Sequence, residues 1–372
     1  MAVALLVAAC TDGSDTTPPD PSTSSPPTTG QAPATTPSPP PATTSAALDP
    51  WLAEEVATDP DVTIGSLENG LTYYVRENKR PGGRAQLRLV VNAGSAIEDS
   101  DQSGAAHFLE HMLFNGTARF PENELTRVLE SFGARFGPDV NAYTSFDETV
   151  YELAIPTDDL ELFELGFDVL YEWAALATID QADVEAERGV VLEEWRLRDA
   201  GVEGRISQLY EDLFLAGTGY EGRAPIGYPQ ILRETNAEEL RRFYDDWYRP
   251  ELMAVVAVGD FDPDQVVTLI EQRLSQLQAR SERMRPQIAV ARFAERRVGI
   301  LVDPDQPTAS VEIYFPGPVE RGNTIGDRYG TWARLVATDM IATRLNDDVT
   351  RGMAPFFSVA ALDFDFTRGL EL

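Results

Sequence analysis

Apolar and polar positions alternate along the chain in two ways. Residues 70–76 (GLTYYVR) and 85–91 (AQLRLVV) have strand composition, and the turn-rich ENKRPGG between them makes them a hairpin-like pair. In residues 104–117 (GAAHFLEHMLFNGT), Ala105, Phe108, Leu109, Met112 and Leu113 instead recur at helical spacing. That spacing predicts a helix with a buried face, stopped by Asn115 and Gly116. A second helix is expected over about 122–132, a strand over 141–155, and helices over 159–176 and 181–198. Further on, 253–259 (MAVVAVG) reads as a buried strand, 264–277 as an amphipathic helix and 278–294 as a polar, Arg-rich linker. A second unit is then expected, with strands over 298–302 and 309–315, a long helix over 324–346 and a strand over 356–365. Alternation of this kind predicts an α+β fold.

The N-terminal region carries neither pattern. Residues 1–9 (MAVALLVAA) form an apolar run far shorter than the roughly 20 residues a spanning helix needs. The run ends at Cys10 after Val7, Ala8 and Ala9, which resembles the lipobox of bacterial lipoproteins, where the cysteine is acylated. No basic residue precedes Arg76, unlike the usual charged start of such leaders. Residues 11–48 are dominated by Pro, Thr and Ser, a composition that cannot bury enough surface to offset its ordering entropy. The expected organisation is a signal segment (1–9), a disordered stalk from a lipidated Cys10 (10–48), a first domain (49–283) and a second (284–372). Such a chain is expected outside the cytoplasm, at a bacterial cell surface or in the periplasm, meeting a membrane only through its lipid anchor.

Charge narrows the partners. Thirty Lys and Arg stand against 61 Asp and Glu in 372 residues, a formal charge of −31, which repels phosphate backbones and argues against nucleic acid. The single cysteine permits no internal disulfide, so any metal must be held by His, Asp or Glu.

Both histidines of the chain lie in one predicted helical turn. His107 and His111 are four residues apart, so both imidazoles project from one side and can chelate one ion. Glu110 lies beside them, placed to reach a metal-bound water without being a ligand; the order is H-x-x-E-H. A catalytic zinc takes three protein ligands and keeps one position open, and with no third histidine the remaining ligand must be a carboxylate. Residues 184–198 (VEAERGVVLEEWRLR) offer Glu187 and Glu194, two turns apart on one helix face. Alone this is a charged amphipathic helix; beside the histidine pair it reads as a ligand source.

GAAHFLEHMLFNGT followed by ERGVVLEEWR resembles the pitrilysin and insulin-degrading family of zinc peptidases, which includes the mitochondrial processing peptidases. NAYTSFDETVYEL, RAPIG at 223–227 and FYDDWYRPELMAVVAVGDFD at 243–262 extend the resemblance from about Val62 to the C-terminus. It implies tandem domains, each a mixed, mostly antiparallel sheet covered by helices, with the second domain incomplete. It implies His107, His111 and Glu194 as zinc ligands, Glu110 as the base that activates water, and Glu187 just outside the ligand sphere. The gap from His111 to Glu194 is several residues longer than the family's usual gap and Glu187 lies nearer the usual distance, which keeps Glu187 as the alternative ligand. Asn141 and Ala142 match the family's edge strand, which pairs with an extended peptide substrate. The implied activity is a zinc metalloendopeptidase acting on extended peptides. Relatives close two such halves around the peptide, so the alternative is a weak or inactive surface-anchored half that binds peptides or needs a partner half.

Overall fold

The computed structural model describes residues 4–9, 49–122, 124–131, 134–290, 293, 295–319 and 322–372. It divides into two compact units. Residues 57–306, 316–319 and 364–372 belong to the larger, and the described residues before Ala57 and within 307–315 and 320–363 to the smaller. Cys10 and the expected stalk lie outside the described residues.

The larger unit is built on a six-stranded mixed sheet of β2 (Val62–Ser66), β3 (Thr72–Glu77), β4 (Arg84–Val91), β5 (Val140–Thr144), β6 (Thr149–Pro156) and β7 (Met253–Gly259). Their order is β2-β3-β7-β4-β6-β5. Every pairing is antiparallel except that of β3 with β7, which inserts between β3 and β4 from far along the chain, so the two strands expected as a hairpin-like pair are not paired with each other. Alternation does the sorting: Ala85, Leu87, Leu89 and Val91 of β4 and Met253, Val255 and Ala257 of β7 point into the core, while Arg84, Gln86 and Arg88 stay outside. Helices α1 (Ala105–Asn115), α3 (Leu160–Ala175) and α8 (Pro263–Leu274) pack on the sheet. Around them lie α2 (Glu124–Ser131), α4 (Gln181–Asp199), α5 (Val202–Tyr210), α6 (Pro229–Leu232) and α7 (Ala237–Trp247). Phe108, Phe167, Trp173, Phe243 and Trp247 are fully buried between the layers, each side chain contributing on the order of 1.5–3 kcal/mol.

In the smaller unit, β1 (Ala4–Ala9) runs antiparallel between β8 (Ala309–Ile313) and β10 (Ser358–Leu362). The residues read as a leader are thus partly in a strand. Helix α9 (Ile325–Thr350) packs with β10 and begins in a capping box of Thr324 and Asp327. Short strands β9 (Gly317–Pro318), β11 (Asp365–Thr367) and β12 (Leu370–Glu371) form a third sheet within the larger unit. No described helix is long and apolar enough to cross a membrane.

Three expected strands differ. Residues 141–155 are two strands, β5 and β6, separated by a turn at 145–148. Residues 356–365 split into β10 and the start of β11. Residues 298–302 form no strand, because strand composition is not enough without a neighbour to pair with; Ile300 is 84% exposed.

Candidate metal centre

Helix α1 starts where the chain approaches another loop too closely for any side chain. Gly104, at φ +86°, caps it, and a Cβ there would lie 3.0 Å from Cα of Gly227, itself at φ +75°. The buried carboxylate of Glu98 accepts from the amides of Gly104 at 3.0 Å and Ala106 at 2.9 Å, satisfying donors that a helix start leaves free. Arg223 in turn donates to the Glu98 carbonyl. With its apolar face sunk in the core, α1 then presents His107, Glu110 and His111 toward α4.

Glu194 Oε2 lies 3.5 Å from His107 Nε2 and 3.3 Å from His111 Nε2. Four ligands at the bond lengths of zinc sit about 3.3–3.6 Å apart along the edges of a tetrahedron, so these three donors fit one such ion. One ligand atom from each of His107, His111 and Glu194 falls within 4.8 Å of the others, the one such group among the described residues. Glu187 sits behind His111, its Oε1 2.8 Å from Nδ1, and its other oxygen accepts from Asn115 Nδ2 at 3.4 Å. An Nδ1–H donated to Glu187 leaves Nε2 free to face Glu194. The helical offset of seven residues therefore divides the two carboxylates between the two nitrogens of one ring. Glu193 points elsewhere and pairs with Arg196. Glu194 Oε1 is 3.3 Å from Arg198 Nη1, which leaves Oε2 for the histidines.

The two imidazoles, with ring centroids 4.8 Å apart, differ in charge. Burial lowers His107 to about 4, helped by the charge of His111, so it is a neutral donor. Burial also opposes a charge on His111, but the hydrogen bonds to Glu187 and Glu194 outweigh it and raise that ring to about 9. Glu194 is held down to about 2, first by its hydrogen bond with His111, and Glu187 is lowered by the same ring. Glu110 moves the other way: burial pushes it up to about 7 against the hydrogen bond from Thr144.

Asn141 and Ala142 lie on β5, the edge strand of the sheet, opposite Glu152 and Tyr151 of β6. Asn141 is exposed and Ala142 half-buried. Sequence reasoning passed over Thr144, whose hydroxyl is 2.6 Å from Glu110 Oε2, and Glu98. For Thr144 the available signal was the two-residue period of β5, which puts it on the same side as Ala142.

A family model described as insulinase (peptidase family M16) matches residues 73–216, and one described as peptidase M16 inactive domain matches 235–328. The chain is 45% identical over 218 residues to a probable zinc protease PqqL of Haemophilus influenzae, covering 59% of this chain and 23% of that one. It is 36% identical over 306 residues to the probable zinc protease PqqL of Escherichia coli, covering 81% and 32%. Its fold matches the crystal structure of the first half of the periplasmic protease PqqL from Escherichia coli with a TM-score of 0.73 at 30% identity, covering 86% of this chain and 68% of that one. The chain thus spans between 23% and 32% of the length of these two curated relatives.

Proposed function

The chain belongs to the insulinase family of peptidases, M16, and we propose that it is a zinc-dependent endopeptidase that hydrolyses extended peptides outside the cytoplasm. The observation that carries this reading is the set of separations between His107 Nε2, His111 Nε2 and Glu194 Oε2, with Glu110 one residue from His111. His107, His111 and Glu194 would hold a zinc ion, which would supply Lewis-acid activation of the scissile carbonyl and of the attacking water. Glu110 accepts the proton of that water on its carboxylate and returns it to the leaving amine. Glu187 holds the Nδ1 proton of His111, fixing the ring. The free edge of β5, with Asn141 and Ala142, receives the peptide as an added strand, which favours extended segments.

The Escherichia coli relative is a periplasmic protease, and the lipobox-like residues before Cys10 support an anchored, extracytoplasmic chain here. The greater length of the relatives favours a second reading, in which full turnover needs a partner half, on the same polypeptide or another.

A quenched extended peptide incubated with the zinc-loaded chain tests the proposal. Hydrolysis is expected, and Glu110→Gln should keep its zinc yet lose more than about 10²- to 10⁴-fold in rate. A variant as active as the parent would remove Glu110 from the chemistry.

A further inference from the structure

We propose that Thr144 is a positioning residue: its hydroxyl fixes one oxygen of Glu110, so that the edge strand receiving the peptide also aims the base at the attacking water. The inference rests on the peptidase reading above. Thr144 Oγ1 is 2.6 Å from Glu110 Oε2, within the range of a hydrogen bond to a charged acceptor. Among the described residues this is the one hydrogen bond to the Glu110 carboxylate, so it leaves the second oxygen free.

The direction of that bond follows from the acceptor. Thr149 Oγ1 lies 3.4 Å from Thr144 Oγ1, a distance that makes it a weak competitor, and its own proton goes to the Ala93 carbonyl at 3.0 Å. An ionised carboxylate only accepts, so at 2.6 Å Thr144 donates to Glu110, and a carboxylate receiving it at Oε2 loses rotation about its last torsion. The free oxygen is then the one that takes a proton.

The turn behind Thr144 is tied down from several sides. The amides of Ser95 and Ala96 donate to the carbonyls of Ser145 and Phe146 at 3.1 and 2.8 Å. Ser145 Oγ accepts from the amides of Asp147 and Glu148, both at 3.2 Å. Buried Asp147 accepts from Tyr220 Oη at 2.9 Å. Such anchoring does nothing for the exposed face of β5, but it sets where the inward residue at its end can reach. A peptide pairing with β5 is thereby registered against the same strand that holds the base.

Zinc-loaded full-length chain is compared with Thr144→Val and Thr144→Ser, each also in the Glu110→Gln background. Three quantities are read: kcat and KM for a quenched peptide, affinity for a peptide hydroxamate, whose hydroxyl is donated to the base, and affinity for the same peptide without the hydroxamate. Thr144→Val should keep its zinc and plain-peptide affinity, and lose about 10- to 100-fold in kcat and in hydroxamate affinity with KM little changed. Thr144→Ser should restore both, and with Gln at position 110 the valine should have no further effect. Hydroxamate affinity unchanged in Thr144→Val would overturn the inference, as would a serine variant as impaired as the valine one. A parent chain that binds the hydroxamate but cleaves nothing would overturn the peptidase reading, while the hydroxamate comparison still decides the role of Thr144.

Discussion

Helices α1 and α4 supply the two sides of one centre and are held in place by different physics. Ala105, Ala106, Phe108, Leu109, Met112 and Leu113 of α1 are buried along with His107 and Glu110. Helix α4 has 19 residues and buries only Val184 and Val191. The histidine side is therefore fixed by core packing and by the clamp of Glu98 on the helix start. The carboxylate side lies at the surface, its acids fixed by their contacts with His111 and, for Glu194, by the ion pair with Arg198. The contrast implies that metal binding and folding are separable on α4 and inseparable on α1.

The largest expected effect is on zinc. Glu194→Gln should weaken zinc binding by more than about 100-fold while costing the metal-free protein far less than a core substitution, because the residue is partly exposed and loses only its pairing with His111 and Arg198. Metal analysis after dialysis, paired with a denaturation curve, checks both halves of the claim. Zinc retained in Glu194→Gln and lost in Glu187→Gln would exchange the roles of the two carboxylates.

Stability should show the opposite pattern. Phe108→Ala, in a side chain with no exposure, should cost about 3–5 kcal/mol, whereas Leu197→Ala, 68% exposed on α4, should change unfolding by less than about 0.5 kcal/mol. Urea unfolding of the metal-free variants measures this. Equal costs would mean that α4 is anchored by contacts other than those described.

How far the sequence reached follows the same division. The helical recurrence of Ala105, Phe108, Leu109, Met112 and Leu113 marked α1, and a histidine pair four apart needs only that helix to share a face. Glu187 and Glu194 stayed alternatives because spacing put both on one face of α4, while their division between Nε2 and Nδ1 of His111 depends on how far α4 slides along α1. That offset is set by tertiary packing and has no local signal. The hairpin at 145–148 was missed for a different reason. Its turn has no Gly or Pro, and its amides are satisfied by the Ser145 side chain, so residues 141–155 read as one strand. Thr144 was hidden with it, since its partner Glu110 lies 34 residues away.

A smaller effect concerns Glu187, which reaches the far nitrogen of the His111 ring. Glu187→Gln should lower zinc affinity about 10- to 100-fold by releasing the His111 ring, with hydrolysis at saturating zinc largely kept. Rescue by added zinc checks this, and a variant that stays inactive when fully loaded would give Glu187 a larger part than orienting the ring.

The smallest effect is the pH slope of zinc affinity, which reads chiefly the charge of His111. Zinc needs the lone pair on Nε2, so any proton on the ring must leave when the ion binds. His107, lowered to about 4, and Glu194, lowered to about 2, have already lost theirs near neutrality. His111, raised to about 9 by Glu187 and Glu194 after burial is offset, has not. Affinity should therefore rise with pH, by up to about tenfold per unit between roughly pH 6 and 8, as one proton is released per ion. Calorimetry in buffers of different ionisation enthalpy counts that proton directly. In Glu187→Gln the negative charge beside Nδ1 is gone and the remaining amide oxygen is a weaker acceptor, so the ring titrates lower and the upper part of the slope should flatten. A release of two or more protons in the parent would mean that a second group, the Glu110 carboxyl or the His107 ring, also gives one up when the ion binds, and a slope unchanged in the variant would show that Glu194 alone sets the charge of His111.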